Sequence, residues 1–119
     1  MGTFVISTKE NGEFKFTYNN RRGKTVLTSP GFKTKEDCYA SIENLKTNFL
    51  LTSHPKFKSV SEKYFFKIVL NDAVLCTSRK FTTLLRVEKA ISDMNLYLLS
   101  GEVLDFTEYC FPEIDFDAS

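Results

Sequence analysis

Several residue types that catalytic and metal sites depend on are scarce in this chain of 119 residues. It contains no tryptophan, one histidine, three cysteines, three prolines and five glycines. Cys38, Cys76 and Cys110 lack the C-x-x-C spacing of zinc and redox sites, and no His-rich metal pattern occurs. There is also no phosphate-cradling glycine loop and no serine elbow. The sequence therefore predicts no catalytic residue, no metal and no cofactor, and a protein that is not an enzyme.

Long apolar runs are also missing. No stretch approaches the roughly 20 apolar residues that span a bilayer, so no membrane association is expected. The first residues, MGTFVISTKENG, lack the basic region, apolar core and cleavage site of a signal peptide. An odd number of cysteines without a disulfide framework is typical of a reducing compartment. We therefore expect a cytoplasmic protein.

The charge is nearly balanced but unevenly distributed. The formal net charge is +1, which argues against a protein that mainly grips bulk nucleic acid. Residues 1–60 carry ten basic and five acidic side chains, whereas residues 61–119 carry six and ten. From Glu102 onward there are six acids and no base. This acidic end is either a solvated tail that favours solubility or a surface for a partner.

The second half of the chain repeats the pattern of the first at a shift of 49 residues. The stretches from 28 and from 77 both begin Thr-Ser and continue with a phenylalanine and a threonine at matching offsets. Apolar residues then follow in steps of four, three and four, which places them along one stripe of a helix. These residues are Cys38, Ile42, Leu45 and Phe49 in the first copy, and Val87, Ile91, Met94 and Leu98 in the second.

This pattern predicts helices over 34–50 and 83–99. Thr34, with Asp37 three residues later, resembles a capping box, and Thr82 or Thr83 can cap the second helix. Gly101 is expected to close that second helix in the left-handed conformation, which glycine tolerates.

Alternating apolar and polar residues predict the strands. Upstream of the helices the register slips to a shift of 50, and tight turns are expected at Asn11-Gly12, around Arg22-Gly23 and at Asn71-Asp72. Each copy therefore contains three strands and a helix, and a short extended segment follows. The predicted strands cover residues 3–8, 14–18, 24–28, 56–61, 63–70, 73–77 and 102–106. Because neither copy can bury its helix alone, the two copies should share one sheet and one core.

The runs NGEFKF (11–16), VLTS (26–29) and SIENLKTN (41–48), together with Phe32, resemble the repeat of the YegP-like small bacterial proteins, a domain of unknown function. The resemblance covers about residues 2–106. It implies an α+β fold of tandem β(3)-αβ repeats sharing one mainly antiparallel sheet. The resemblance further implies that two helices pack on one face of that sheet and that the C-terminal strands are exchanged between the repeats. The family offers no catalytic or binding residue to carry over.

The expected organisation is a single domain, 1–119. Repeat one covers 2–52, repeat two covers 53–106, and an acidic C-terminal tail covers 107–119. The tail mixes aromatic with acidic residues, so it either docks on basic turns of its own or another chain, or frays.

Two places are candidates for binding. The strand from Lys63 to Leu70 is apolar on both sides, with Phe65 and Val69 on the side opposite the predicted core. Such a strand lies either at the centre of a sheet or under an interaction patch. The second candidate is the turn with Arg21, Arg22 and Lys24.

The function predicted from these features is a non-catalytic protein-interaction or binding module, present as a monomer or weak homodimer. Its partner would be another protein, and nucleic acid is the less favoured ligand. The alternative is a weak single-stranded nucleic-acid binder in which the basic turn holds phosphates while Phe14 and Phe16 stack on bases. The alternating pattern favours core positions for both rings instead, on the face that the helices cover. A third possibility is an enzyme with a reactive thiol, either Cys110, the thiol most expected to be exposed, or Cys76.

Overall fold

In the computed structural model of the chain, residues 2–107 are described, and they form one mixed sheet with two helices. The fold is therefore α+β, as predicted. Two short 3-10 helices, Phe49–Leu51 and Leu98–Ser100, extend the ends of the helices. The elements are β1 (Thr3–Thr8), β2 (Phe14–Asn19), β3 (Thr25–Thr28), α1 (Lys35–Thr47), β4 (Lys56–Lys58), β5 (Tyr64–Leu70), β6 (Ala73–Ser78), α2 (Leu84–Tyr97) and β7 (Glu102–Asp105).

Both helices begin at a threonine cap. The Oγ1 of Thr34 accepts a hydrogen bond from the backbone N–H of Asp37 at 3.0 Å. Thr83, rather than Thr82, plays the same part in α2 and accepts from the N–H of Arg86 at 3.2 Å. Each cap satisfies an N–H that has no partner within its helix. The predicted helix starts are therefore confirmed to within one residue.

The turns follow the predicted chemistry, whereas one strand is shorter than predicted. Gly12 and Gly23 have φ of 87° and 84°, and Asn71 and Asp72 have φ of 53° and 67°, as tight hairpin turns require. Strand β4 is shorter than the predicted 56–61, because the N–H of Ser59 bonds to the carbonyl of Lys63 and turns the chain.

The expected role of Gly101 is wrong in one respect. Its φ is −67°, so it does not close α2 in the left-handed conformation. A side chain at this position would come within 3.2 Å of the Phe4 ring and of the Gly2 carbonyl oxygen. Glycine is therefore favoured at residue 101 because it has no side chain and can pack closely against β1. The backbone conformation there is one that other residues can adopt.

The strand order is β4-β5-β6-β3-β2-β1-β7. All neighbouring strands are antiparallel except β1 and β7, which are parallel with Phe4 opposite Val103. Strands β3 and β6 join the two halves, with Leu27 opposite Ser78. The last strand of the second half thus lies beside the first strand of the first half.

The halves share one hydrophobic core. The register places Phe4, Tyr18, Leu27 and Ser78 side by side on one face of the sheet. The buried residues of both helices belong to the same apolar cluster as this face, so both helices pack on the same side. Neither helix in residues 2–107 is long and apolar enough to cross a membrane.

Candidate functional site

The sheet has a second face, opposite the helices, and no helix lies across it within residues 2–107. The register carries this face across the sheet from β7 to β5, and its side chains are half-buried or exposed. Threonines occupy its middle, where successive strands pair. Its members in order are Leu104, Val5, Thr17, Thr28, Thr77 and Lys67.

Aromatic side chains gather where this open face reaches β4 and β5. The rings of Phe57 and Phe65 stack with centroids 5.3 Å apart and planes inclined by 22°. The Nζ of Lys67 lies 5.1 Å from the centre of the Phe57 ring, within the range of a cation–π contact. Phe57 is 39% exposed. We call Phe57, Phe65 and Lys67 the aromatic patch.

The position of β5 explains why its sequence is apolar on both sides. Its Phe66 and Ile68 are fully buried in the core, whereas Phe65 is half-buried on the open face. The strand is second from the edge of the sheet, between β4 and β6, and not at its centre. The second predicted residue, Val69, is half-buried farther along β5, and its backbone exchanges hydrogen bonds of 2.9 and 3.0 Å with Ser53.

Phe57 was not predicted as part of the site. It stands alone between two lysines in a strand of three residues, too short for a clear alternating pattern. Its pairing with Phe65 depends on the β4–β5 register, which local sequence does not reveal.

The basic turn is well formed and exposed. The side-chain oxygen of Asn20 accepts hydrogen bonds from the backbone N–H groups of Arg22 and Lys24, at 2.9 and 3.1 Å, and the side chains of Arg21, Arg22 and Lys24 are exposed. Lys15 lies at the opposite end of β2, roughly 17 Å away at the usual rise per residue.

The aromatic residues suggested as base-stacking partners for this turn face the helices instead. Phe16 is fully buried, and Phe14 packs against the same core. This confirms the favoured interpretation of both rings as core residues and excludes base stacking by them, because the helices occupy the face on which they lie.

The cysteines described in the structure are poor nucleophiles. Burial, reinforced by the charge of Asp105, raises the pKa of Cys38 to about 11, and burial raises the pKa of Cys76 to about 12. Cys110 lies outside the described residues. Within residues 2–107 no three His, Cys, Asp or Glu side chains come together as metal ligands.

His54 is equally constrained. Its ring stacks on Phe49 with centroids 5.5 Å apart, and its Nε2 lies 3.1 Å from the Oγ1 of Thr52. Burial, together with the nearby Lys56 charge, lowers the pKa of His54, so this ring stays neutral at pH 7.

Known proteins resemble this chain in sequence, although no family model matches it. A UPF0339 protein from the 5′ region of the ptx operon of Stutzerimonas stutzeri is 27% identical over 106 residues, which cover 87% of this chain and 96% of that protein. A UPF0339 protein of Methanosarcina acetivorans is 31% identical over 48 residues, which cover 40% of this chain and 83% of that protein. The chain belongs to the UPF0339 family.

Solved structures show that this UPF0339 protein shares its fold with YegP, in agreement with the resemblance found in the sequence. A UPF0339 protein of Shewanella oneidensis matches with a TM-score of 0.81 and 19% identity, over 96% of this chain and 98% of that one. YegP of E. coli, a protein of unknown function, matches with a TM-score of 0.78 and 22% identity, over 90% and 94% of the two chains.

Proposed function

We propose that this UPF0339 protein is a non-catalytic binding module of the cytoplasm, and that the aromatic patch is the surface on which it holds a partner protein. The observation that carries this proposal is the Phe57–Phe65 stack on the face that the helices leave open. Aromatic side chains on a rigid support lose little conformational freedom on binding, and they are enriched at the centres of protein interfaces.

The chemistry of the patch indicates the kind of partner surface that would fit. The two rings offer apolar contact area, and Lys67 places a positive charge beside them. A partner with an apolar side chain flanked by a carboxylate would satisfy both features. The buried, protonated thiols of Cys38 and Cys76 support a binding role over a catalytic one.

A comparison of variants on capture from native lysate tests this proposal. Lys67→Glu reverses the charge on the patch, and Lys89→Glu, on the exposed side of α2, makes the same change elsewhere. We expect a protein retained by the wild type and by Lys89→Glu to be lost with Lys67→Glu, while all three unfold at similar temperatures. Equal retention by all three proteins would contradict the proposal.

The alternative function, weak binding of single-stranded nucleic acid, would rest on the exposed side chains of Arg21, Arg22 and Lys24. Their contacts would be with phosphates, and such binding is strongest at low salt. Filter binding of RNA and DNA at about 20 mM salt tests it. No retention, or retention that Arg21→Glu/Arg22→Glu leaves unchanged, would eliminate this alternative.

We also propose that the fold is a tandem duplication in which terminal strands are exchanged between units. Two serines support it, because Ser29, directly after β3, and Ser78, at the end of β6, each accept a hydrogen bond of 2.9 Å from the N–H of a buried phenylalanine. The position of β7, beside β1 of the other half, supports the exchange. The Methanosarcina relative, about half as long as this chain, is the size of a single unit.

A further inference from the structure

The two ends of the sheet are built differently. Strand β1 has β7 beside it, in parallel, whereas no strand lies beyond β4 within residues 2–107. Ile6 pairs with Phe16, and Lys56 pairs with Phe66, so that β4 takes the place in the second half that β1 takes in the first. The space beside β4 is therefore the counterpart of the space that β7 fills.

The free edge of β4 can accept a strand. Ser53 exchanges backbone hydrogen bonds with Val69, and the carbonyl of Pro55 accepts from the N–H of Lys67. In an antiparallel ladder only alternate residues bond to a given neighbour, so Lys56 and Lys58 direct their N–H and C=O groups outward. Pro55, which has no N–H, belongs to the inward set and leaves the outer edge intact.

The side chains at this edge favour an added strand that carries negative charge. Lys56 and Lys58 are exposed on the helix side of β4, and Phe57 lies on the open face. A groove of about 250 Å³ runs beside them and is also lined by Tyr64 and by Leu84 at the start of α2. A strand added here would meet two positive charges on one side and an aromatic ring on the other.

Strand β7 shows the same chemistry at the occupied end of the sheet. The carboxylate of Asp105 faces the helix side, 3.3 Å from the Nζ of Lys35, and accepts a hydrogen bond from the hydroxyl of Tyr39 at 3.1 Å. Leu104 lies on the open face opposite Val5. An acidic residue toward the helices and an apolar residue away from them thus suit a strand at this position.

The sequence contains a segment of this kind near its C-terminus. Residues 113–117 read Glu-Ile-Asp-Phe-Asp, in which acidic and apolar residues alternate strictly. In an extended strand the three acids would lie on one side and Ile114 and Phe116 on the other. We propose that this segment of one copy adds to the free edge of β4 in a second copy. Its acids would face Lys56 and Lys58, and its apolar side chains would lie beside Phe57.

The geometry points to a second copy and not to the same chain. Strand β7 lies at the far end of the sheet, so the space beyond β4 is seven strand spacings, or about 33 Å, away. The six residue-to-residue steps from Thr107 to Glu113 reach only about 20 Å when fully extended. A chain therefore cannot cover its own β4 edge with this segment, whereas two copies can cover each other's.

Sedimentation equilibrium of the full-length protein, at protein concentrations between about 5 μM and 1 mM and at low salt, tests this inference. We expect the average mass to rise toward that of two copies and to fall again in 0.5 M NaCl, because the contact is partly ionic. If the average mass remains that of a monomer throughout this concentration range, the proposal is wrong. The β4 edge would then be available only to other proteins.

Charge reversal locates the contact. We expect Lys56→Glu/Lys58→Glu to weaken self-association at least tenfold, and Glu113→Lys/Asp115→Lys/Asp117→Lys to do the same from the other side. The matched control Lys33→Glu/Lys89→Glu changes two exposed lysines away from the edge and should associate like the wild type.

Mixing the two charge-reversed proteins is the decisive step. The basic segment of one should then bind the acidic edge of the other and restore association. Unchanged association of Lys56→Glu/Lys58→Glu, or no rescue on mixing, would contradict the strand addition. The proposed strand addition between two copies does not depend on whether the aromatic patch binds another protein. The capture experiment can therefore fail without contradicting it.

Discussion

The hydroxyl of Ser29 accepts a hydrogen bond from the backbone N–H of Phe16 at 2.9 Å and donates one to the carbonyl of Pro30 at 2.8 Å. Ser78 makes the same pair of bonds in the second half, with the N–H of Phe66 at 2.9 Å and the carbonyl of Arg79 at 2.7 Å. Each serine lies where the pairing with the neighbouring strand is interrupted, before it resumes at Phe32 in the first half and at Phe81 in the second. Its side chain thus satisfies a buried N–H for which the interrupted ladder provides no backbone carbonyl.

Removing the hydroxyl group of either serine should therefore destabilise the fold more than so small a change usually does. We expect Ser29→Ala and Ser78→Ala each to lower the free energy of unfolding by about 1–3 kcal/mol, because each leaves a buried N–H without a partner. Urea denaturation measures the loss, with Ser100→Ala as the control at an exposed serine. A loss as small as that of the control at both sites would contradict this role.

Acid should loosen the attachment of β7. Hydrogen bonds from Thr107, together with contacts to Lys35 and Tyr39, lower the pKa of Asp105 from its usual 3.8 to about 2, despite partial burial, which raises it. A lowered native pKa contributes stability above about pH 4, and this contribution disappears as the pH falls toward 2.

We expect Asp105→Asn to be less stable than the wild type at pH 7 and to lose less stability between pH 4 and pH 2. Thermal unfolding across this range measures both effects. Asp93→Asn, an exposed site on α2, is the control and should keep the wild-type pH profile. Parallel profiles for Asp105→Asn and the wild type would show that these contacts do not lower the pKa.

The buried thiols should resist modification while the protein is folded. With pKa values of about 11 and about 12, Cys38 and Cys76 carry on the order of one thiolate per thousand molecules or fewer at pH 8. In a Cys110→Ser variant we expect no reaction with a thiol reagent over minutes at pH 8, and reaction of both thiols in denaturant. Rapid labelling of the native variant would reopen thiol catalysis.

In the β5–β6 turn, glycine at position 72 should be more stable than the aspartate that the chain has there. Asn71 and Asp72 both have positive φ, as a two-residue hairpin turn of this hand requires. We expect Asp72→Gly to raise the free energy of unfolding by up to about 1 kcal/mol, and Asp72→Ala, which cannot relieve the backbone, to lower it. Urea denaturation of the three proteins gives the order, and stabilisation by alanine would contradict it.

Local patterns in the sequence predict the elements with good accuracy. The threonine caps and the steps of four, three and four locate α1 and α2, and the turn residues locate the hairpins. The failures occur where distant residues decide. Gly101 is needed for its closeness to Phe4 and not for its backbone conformation. Strand β4 is a local exception, because it ends early at the turn in which Ser59 bonds to Lys63.

The candidate site divides in the same way. Phe65 is apparent from a strand that is apolar on both sides, but Phe57 joins it only because β4 pairs with β5 in one particular register. In contrast, the alternating pattern already favours core positions for Phe14 and Phe16, and the packing of the helices confirms them.

By itself, the sequence determined which residues form helices, strands and turns, and that two similar halves must bury their apolar sides together, because these properties follow from local spacing and side-chain chemistry. Only the tertiary structure decided which strands lie at the edges, which face of the sheet stays open and that β7 pairs with β1 while β4 has no such neighbour within residues 2–107. These outcomes depend on register and strand order, which are set by contacts between residues far apart in the chain.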